Sequence, residues 1–311
     1  MVSGRLSSLA ASVLATLSAL VAACLPSAPV KTARPSIERA PFTEREIRSE
    51  SGHTYRYLHA PGPSADAPVM VLLPGGIFDS RIWLYTGDLA GRFEVVALDW
   101  PDNSLFYSGR VEDFGEVAAD FLLTLGLSRF HLAGVSMGTF AAVDLASRKA
   151  DRFEVLSLTL VSSAMFAITE EEVKGRTKLA KKALGFAPEK LRGIVEWKAG
   201  RAKYDPAPGE VRQADLFYAR PYSYYHQVFG MAWNQGDRPQ DTGSIRCPVL
   251  FLHGTRDETF PVDVARLNST VFTGAKATKW VEIEGGRHSM VFSHGPRVAA
   301  EILAFLDDQG F

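Results

Sequence analysis

Several short segments of this chain carry apolar side chains on consecutive residues, and that pattern restricts the fold more than any motif does. Pro68-Val69-Met70-Val71-Leu72-Leu73 is one such run. Phe93-Glu94-Val95-Val96-Ala97-Leu98 is nearly another, and Cys247-Pro248-Val249-Leu250-Phe251-Leu252 is a third. A strand with one wet face alternates apolar and polar residues, whereas a strand covered on both faces does not. These runs therefore read as buried parallel strands. Helical spacing intervenes at Val111, Phe114, Val117, Ala118, Phe121 and Leu122, and again from Thr139 to Ala146. Further strands are expected at 130–133, 153–160 and 278–283, with helices at 80–89, near 262–268 and at 297–306. A hairpin of two edge strands is expected at 46–48 and 54–59, around Ser51-Gly52-His53. Strand and helix in alternation imply an α/β fold with a mostly parallel, doubly wound sheet. Sites in such sheets lie beyond the carboxyl ends of the strands.

Those ends carry the chemistry. The strand at 130–133 runs into Gly134-Val135-Ser136-Met137-Gly138, and a helix follows. This G-x-S-x-G corner turns so sharply that the serine takes a strained backbone conformation and its flanking positions cannot carry side chains. It lifts the hydroxyl clear of the sheet, at a helix N-terminus that favours negative charge. Taken alone the pattern is weak. With Gly and Ser each near ~7% of residues, it arises by chance about 0.1 times in a chain of this length. Its neighbours strengthen it, because Pro74-Gly75-Gly76 and Asp99 also fall at strand ends.

A serine is a poor nucleophile at neutral pH and needs a base, which in turn needs an orienting group. Leu252-His253-Gly254-Thr255-Arg256-Asp257 puts a carboxylate after the next-to-last strand. Glu284-Gly285-Gly286-Arg287-His288 puts an imidazole after the last. The order Ser136, Asp257, His288 is one of the orders in which serine triads occur. Other readings of single residues stand beside this one. Asp257 can cap a helix starting at Pro261, and Glu258 is its nearest rival as the acid. His253 reads as a satisfied loop histidine and His294 as a helix-entry or surface residue. His53, His59 and His131 lie in or beside strands and read as structural. Asp99 reads as a receiver of loop amides. Ser162-Ser163, at the end of the strand at 153–160, offers no carboxylate.

With these motifs in view, residues 42–311 resemble the α/β-hydrolase fold, in the lid-bearing superfamily of esterases, lipases, haloperoxidases and carbon–carbon bond hydrolases. The resemblance implies Ser136 as nucleophile, His288 as base and Asp257 as its orienting acid. It implies an oxyanion hole from the amides of Met137 and Gly76. Pro74 stands where that superfamily has histidine, so the first amide belongs to Gly76 or to Ile77. The implied reaction is cleavage of a carboxylic ester through an acyl-enzyme, with no organic cofactor and no metal. The same triad serves carbon–carbon hydrolases, peptidases and cofactor-free haloperoxidases, and a binding protein can keep the fold without turnover.

The remaining segments set the domain plan. Alternation stops between Met165 and Arg246, where 169–184, 189–203 and 209–233 are helix-like. This reads as a helical cap at 165–246, inserted between core segments 42–164 and 247–311. Its aromatics, among them Phe217, Tyr218, Tyr222 and Trp233, pack the lid or line an apolar acyl or aromatic pocket. Its lysines Lys174, Lys178, Lys181 and Lys182 form a solvated face or one that rests on anionic head groups.

Residues 1–23 have the layout of a secretory signal, with Arg5 ahead of an apolar stretch rich in Ala and Leu. Leu20-Val21-Ala22-Ala23-Cys24 resembles a bacterial lipobox, which implies cleavage before Cys24, a diacylglyceryl group on its sulfur and attachment to a membrane. Plain cleavage and an uncleaved anchor are the alternatives. The Pro-rich residues 24–41 then form a tether. An envelope location, periplasmic or extracellular, is expected. The formal net charge of −1 gives no basic excess, so no nucleic-acid partner is expected. Cys24 and Cys247 lack metal-ligand spacing.

Overall fold

The computed structural model describes residues 39–76, 78–101, 112–163, 241–257 and 259–311. The signal segment, Cys24, most of the tether and the cap up to residue 240 lie outside the described residues, as do Ile77 and Glu258. The strands are β1 (Thr43–Arg48), β2 (Thr54–Ala60), β3 (Val69–Leu73), β4 (Glu94–Leu98), β5 (Arg129–Val135), β6 (Glu154–Val161), β7 (Val249–Gly254) and β8 (Thr278–Ile283). The α-helices are α1 (Glu112–Thr124), α2 (Gly138–Ala146), α3 (Val262–Arg266), α4 (Met290–Ser293) and α5 (Gly295–Asp308).

The eight strands make one sheet in the order β1-β2-β4-β3-β5-β6-β7-β8. All pairings from β4 to β8 are parallel, and only β1–β2 and β2–β4 are antiparallel. The apolar runs make this sheet possible because both of its faces are covered. Val71, Leu73, Val96, Leu98, Leu132, Leu158, Leu160 and Phe251 pack with α1 and α2 on one face. Their neighbours Met70, Leu72, Val95, Ala97, Ala133, Val161, Leu250 and Leu252 pack on the other with α5 and the segment around Trp83. Each Val, Leu, Met or Phe among them contributes about 1.5–3 kcal/mol relative to exposure. The helical stripe read at Phe114, Val117, Ala118, Phe121 and Leu122 is fully buried.

Two expectations need correction. The hairpin does form, but only β1 is an edge strand; β2 is paired on both sides, with β1 and β4. The stretch 80–89 is not one helix. It makes two 3-10 turns, Ser80–Trp83 and Gly87–Gly91. Its apolar residues Ile82, Trp83, Leu84, Tyr85 and Leu89 are all buried, and so nearly continuous a buried surface leaves no outer face for a regular amphipathic helix.

The topology locates the site. The chain moves from β3 sideways to β4, then returns across β3 to β5. The ends of β3 and β5 therefore flank the point where strand order reverses, which is where sheets of this kind place their sites.

Candidate active site

The corner after β5 is as tight as its glycines imply. Ser136 holds a left-handed φ of 52°, costly for a residue with a side chain. Its amide donates to the Val161 carbonyl at 2.9 Å, tying the corner to the end of β6. Its own carbonyl accepts from the Thr139 amide and hydroxyl in the first turn of α2. A side chain at Gly138 would sit 2.6 Å from the carbonyls of Leu73 and Pro74, and one at Gly134 would sit 2.6 Å from the Gly138 carbonyl. The backbone itself fills the space that a Cβ would need.

The structure brings Ser136, His288 and Asp257 together. Ser136 Oγ lies 2.9 Å from His288 Nε2. His288 Nδ1 lies 2.9 Å from Asp257 Oδ2 and 3.1 Å from Oδ1. An ionised carboxylate can only accept, so Nδ1 carries the imidazole proton and Nε2 is left to accept the serine hydroxyl. The Asp257 side chain is fully buried, while that of His288 keeps 20% of its exposure. Burial alone would push the Asp257 carboxyl upward. The charge and hydrogen bond of His288, with His253 and the Phe260 amide, outweigh burial and hold it below the usual carboxylate range.

Asp257 also bonds the backbone that follows it. Besides facing His288, its Oδ1 accepts from the amides of Thr259 at 2.8 Å and Phe260 at 2.9 Å, closing the turn that leads into α3. The loops carrying the acid and the imidazole are laced together. The Thr255 hydroxyl accepts from the Gly285 amide at 2.9 Å, and the Arg256 amide donates to Gly286 O at 2.9 Å. Gly254 and Gly286 pass so closely that a Cβ at Gly254 would lie 2.2 Å from the Gly286 carbonyl oxygen.

The loop after β3 runs beside the serine, with a Cβ position at Gly75 only 3.4 Å from Ser136 Cβ. Gly76 is buried in that loop, and Met137 is buried where α2 begins. Asp99 behaves as read, its Oδ1 accepting the Ser80 amide at 2.7 Å. Two supports of this loop were not read from the sequence. Asp79 and Arg81 form a buried ion pair at 2.7 Å, and Trp100 Nε1 donates to the Pro74 carbonyl at 3.0 Å. The i, i+2 spacing of opposite charges beside apolar residues was the available signal for the ion pair.

Of the other described histidines, His59, His131 and His294 hold no bond to Ser136, Asp257 or His288. His59 bonds Glu94 and His131 bonds Ser157, each at 2.8 Å, and His294 stands at the entry to α5. His253 is the exception in position: its Nε2 reaches the Phe260 carbonyl at 2.7 Å, and Asp257 Oδ2 lies 3.5 Å away.

A family model described as the alpha/beta hydrolase family matches residues 70–301, which span all three site residues. The chain belongs to the alpha/beta hydrolase family. Among curated relatives, this hydrolase is 26% identical over 271 residues to carboxylesterase YbfK of Bacillus subtilis, covering 80% of this chain and 83% of the relative. It is 23% identical over 235 residues to the uncharacterized carboxylesterase nap of the same organism, covering 68% and 69% of the two chains. Among solved structures, the enol-lactonase of Burkholderia xenovorans superposes with a TM-score of 0.67 at 20% identity, over 85% of this hydrolase and 100% of that chain.

Proposed function

We propose that this α/β hydrolase cleaves carboxylic esters through an acyl-enzyme on Ser136. The observation that carries the reading is the unbroken hydrogen-bonded line from Ser136 Oγ through His288 to the buried Asp257. The distant carboxylesterase relatives support the choice of bond.

In this mechanism Ser136 Oγ attacks the ester carbonyl as His288 Nε2 takes its proton. The carbonyl oxygen becomes an anion, received by the amide of Met137 and that of Gly76 or Ile77. A preorganised donor of this kind is worth ~3 kcal/mol. His288 then gives its proton to the departing alkoxide, which leaves as the alcohol. Water, deprotonated by the same imidazole, attacks the acyl-enzyme; the acyl–Oγ bond breaks, His288 returns that proton to Ser136 Oγ and the acid is released. Asp257 holds the productive tautomer and stabilises the imidazolium.

The test is a panel of p-nitrophenyl esters of short and long chain, run beside amides and diketones, with a fluorophosphonate probe for the serine. Ester turnover is expected to exceed the others, and Ser136→Ala to lose labelling and at least ~10⁴-fold of kcat. Labelling absent from the native protein, or a Ser136→Ala variant as active as it, refutes the reading.

We infer also that the enzyme is tethered to a membrane of the cell envelope by lipid on Cys24. The support is the run Leu20-Val21-Ala22-Ala23-Cys24 behind an apolar segment. Labelled palmitate is expected to enter the native protein and not Cys24→Ala; equal incorporation into both removes the anchor.

A further inference from the structure

His253 takes no proton in the scheme above, yet it is built into the acid loop. It is the penultimate residue of β7, 1% exposed, and directly precedes the close-packed Gly254. Its Nε2 faces the Phe260 carbonyl at 2.7 Å. A carbonyl can only accept, so Nε2 carries a hydrogen and donates it there. The ring stacks on Trp280 of β8, with centroids 5.6 Å apart and planes 21° apart. Trp280 is held in turn by Glu282, whose carboxylate accepts its Nε1 at 3.0 Å. The titratable groups facing His253 are Asp257, His288 and Glu282. Burial holds it below the ordinary imidazole range and keeps it neutral, with Asp257 and the Phe260 carbonyl pulling the other way.

Phe260 is what gives that hydrogen bond a consequence. Its carbonyl accepts from His253, its amide donates to Asp257 Oδ1 at 2.9 Å, and its ring meets the His288 imidazole edge-on at 5.3 Å. One residue thus orients the acid, flanks the base and is anchored by a strand.

We propose that His253 is a positioning residue for ester hydrolysis: it pins Phe260, and Phe260 fixes the carboxylate of Asp257 and the ring of His288. The proposal rests on the reading of Ser136, His288 and Asp257 as the reacting triad. Without the anchor, the turn from Asp257 to Phe260 keeps its local amide bonds but gains freedom against β7. The carboxylate and imidazole then spend less time in the line that accepts the serine proton. Losses of alignment below an ångström reach kcat before they reach substrate binding.

The experiment compares native enzyme with His253→Leu, His253→Gln and His253→Asn on p-nitrophenyl acetate. Active sites are counted by fluorophosphonate titration, and folding is followed by thermal melting. His253→Leu is expected to lower kcat by between about 10- and 100-fold per titrated site, with KM little changed. Glutamine can bring its amide nitrogen near the former Nε2 and donate to Phe260. It is expected to recover most of the loss, whereas asparagine, whose amide falls short, is not. Should the leucine variant fail to fold, the contrast of glutamine with asparagine decides alone. Native kcat in His253→Leu, a change confined to KM, or equal kcat in the two amide variants overturns the positioning role while leaving the esterase reading intact. A native protein that neither labels nor turns over esters overturns both.

Discussion

Asp257 carries the densest set of interactions at the site. It faces His288, closes the turn to α3 through two amides, and lies beside His253. Its carboxyl is held below the usual range, so it stays ionised while imidazoles protonate. One consequence follows at this scale. Asp257→Asn preserves shape but offers His288 an amide that favours the wrong tautomer; kcat is expected to fall by about 10⁴-fold with little loss of melting temperature. A comparable fall in melting temperature would instead mark Asp257 as a loop cap first.

The elements deliver these residues by close backbone contact. The Gly254 and Gly286 passage holds the end of β7 against the loop after β8, and those two segments carry Asp257 and His288. In Gly254→Ala the new Cβ meets a backbone carbonyl that cannot swing aside. Activity is expected to fall further than stability does, seen as a large loss of kcat/KM beside a modest shift in melting temperature; equal losses would place the strain elsewhere. Much of this layer was legible in the sequence. The apolar runs at 68–73 and 247–252 need cover on both faces, and Gly134 and Gly138 admit no side chain, so strands and corner follow from local chemistry. What was not legible depends on partners distant in sequence. Thr54–Ala60 mixes exposed and buried positions like an edge strand, and only its pairing with β4 makes it internal. The buried residues of 80–89 look helical until the packing around Trp83 breaks them into two turns. His253 looked like a satisfied loop residue, but it lies in β7 and only half of that reading holds: Nε2 is bonded to the Phe260 carbonyl, while Nδ1 is buried without a hydrogen-bond partner among the described residues. That its partner is the residue flanking both acid and base depends on how the turn after Asp257 folds.

At the scale of the whole molecule, the buried His131 and His253 couple the sheet to pH. His131 sits in β5, five residues before Ser136, 2% exposed, with its Nδ1 2.8 Å from the Ser157 hydroxyl on β6. The rings of Phe93 and Phe311 meet it edge-on at 5.2 Å and 4.9 Å. Burial, then the charges of Arg92 and Arg129, lower its pKa from 6.5 to about 4. The unfolded chain therefore binds a proton below pH ~6.5 that the folded chain refuses until near pH ~4. Stability linked to His131 is fully present above the unfolded value and is lost as pH falls across that window. The loss is on the order of 3 kcal/mol once pH is below both values. His253 and His294 are lowered in the same direction, so they add to the slope. His131→Phe removes the titrating group while keeping an aromatic ring between Phe93 and Phe311. It is expected to melt lower than the native protein at pH 7, where the bond to Ser157 is missed. Between pH 7 and 5 its melting temperature should fall less steeply. Native and variant curves that run parallel through that interval would mean that the sheet takes up the proton on His131 without strain, and that its acid sensitivity arises elsewhere.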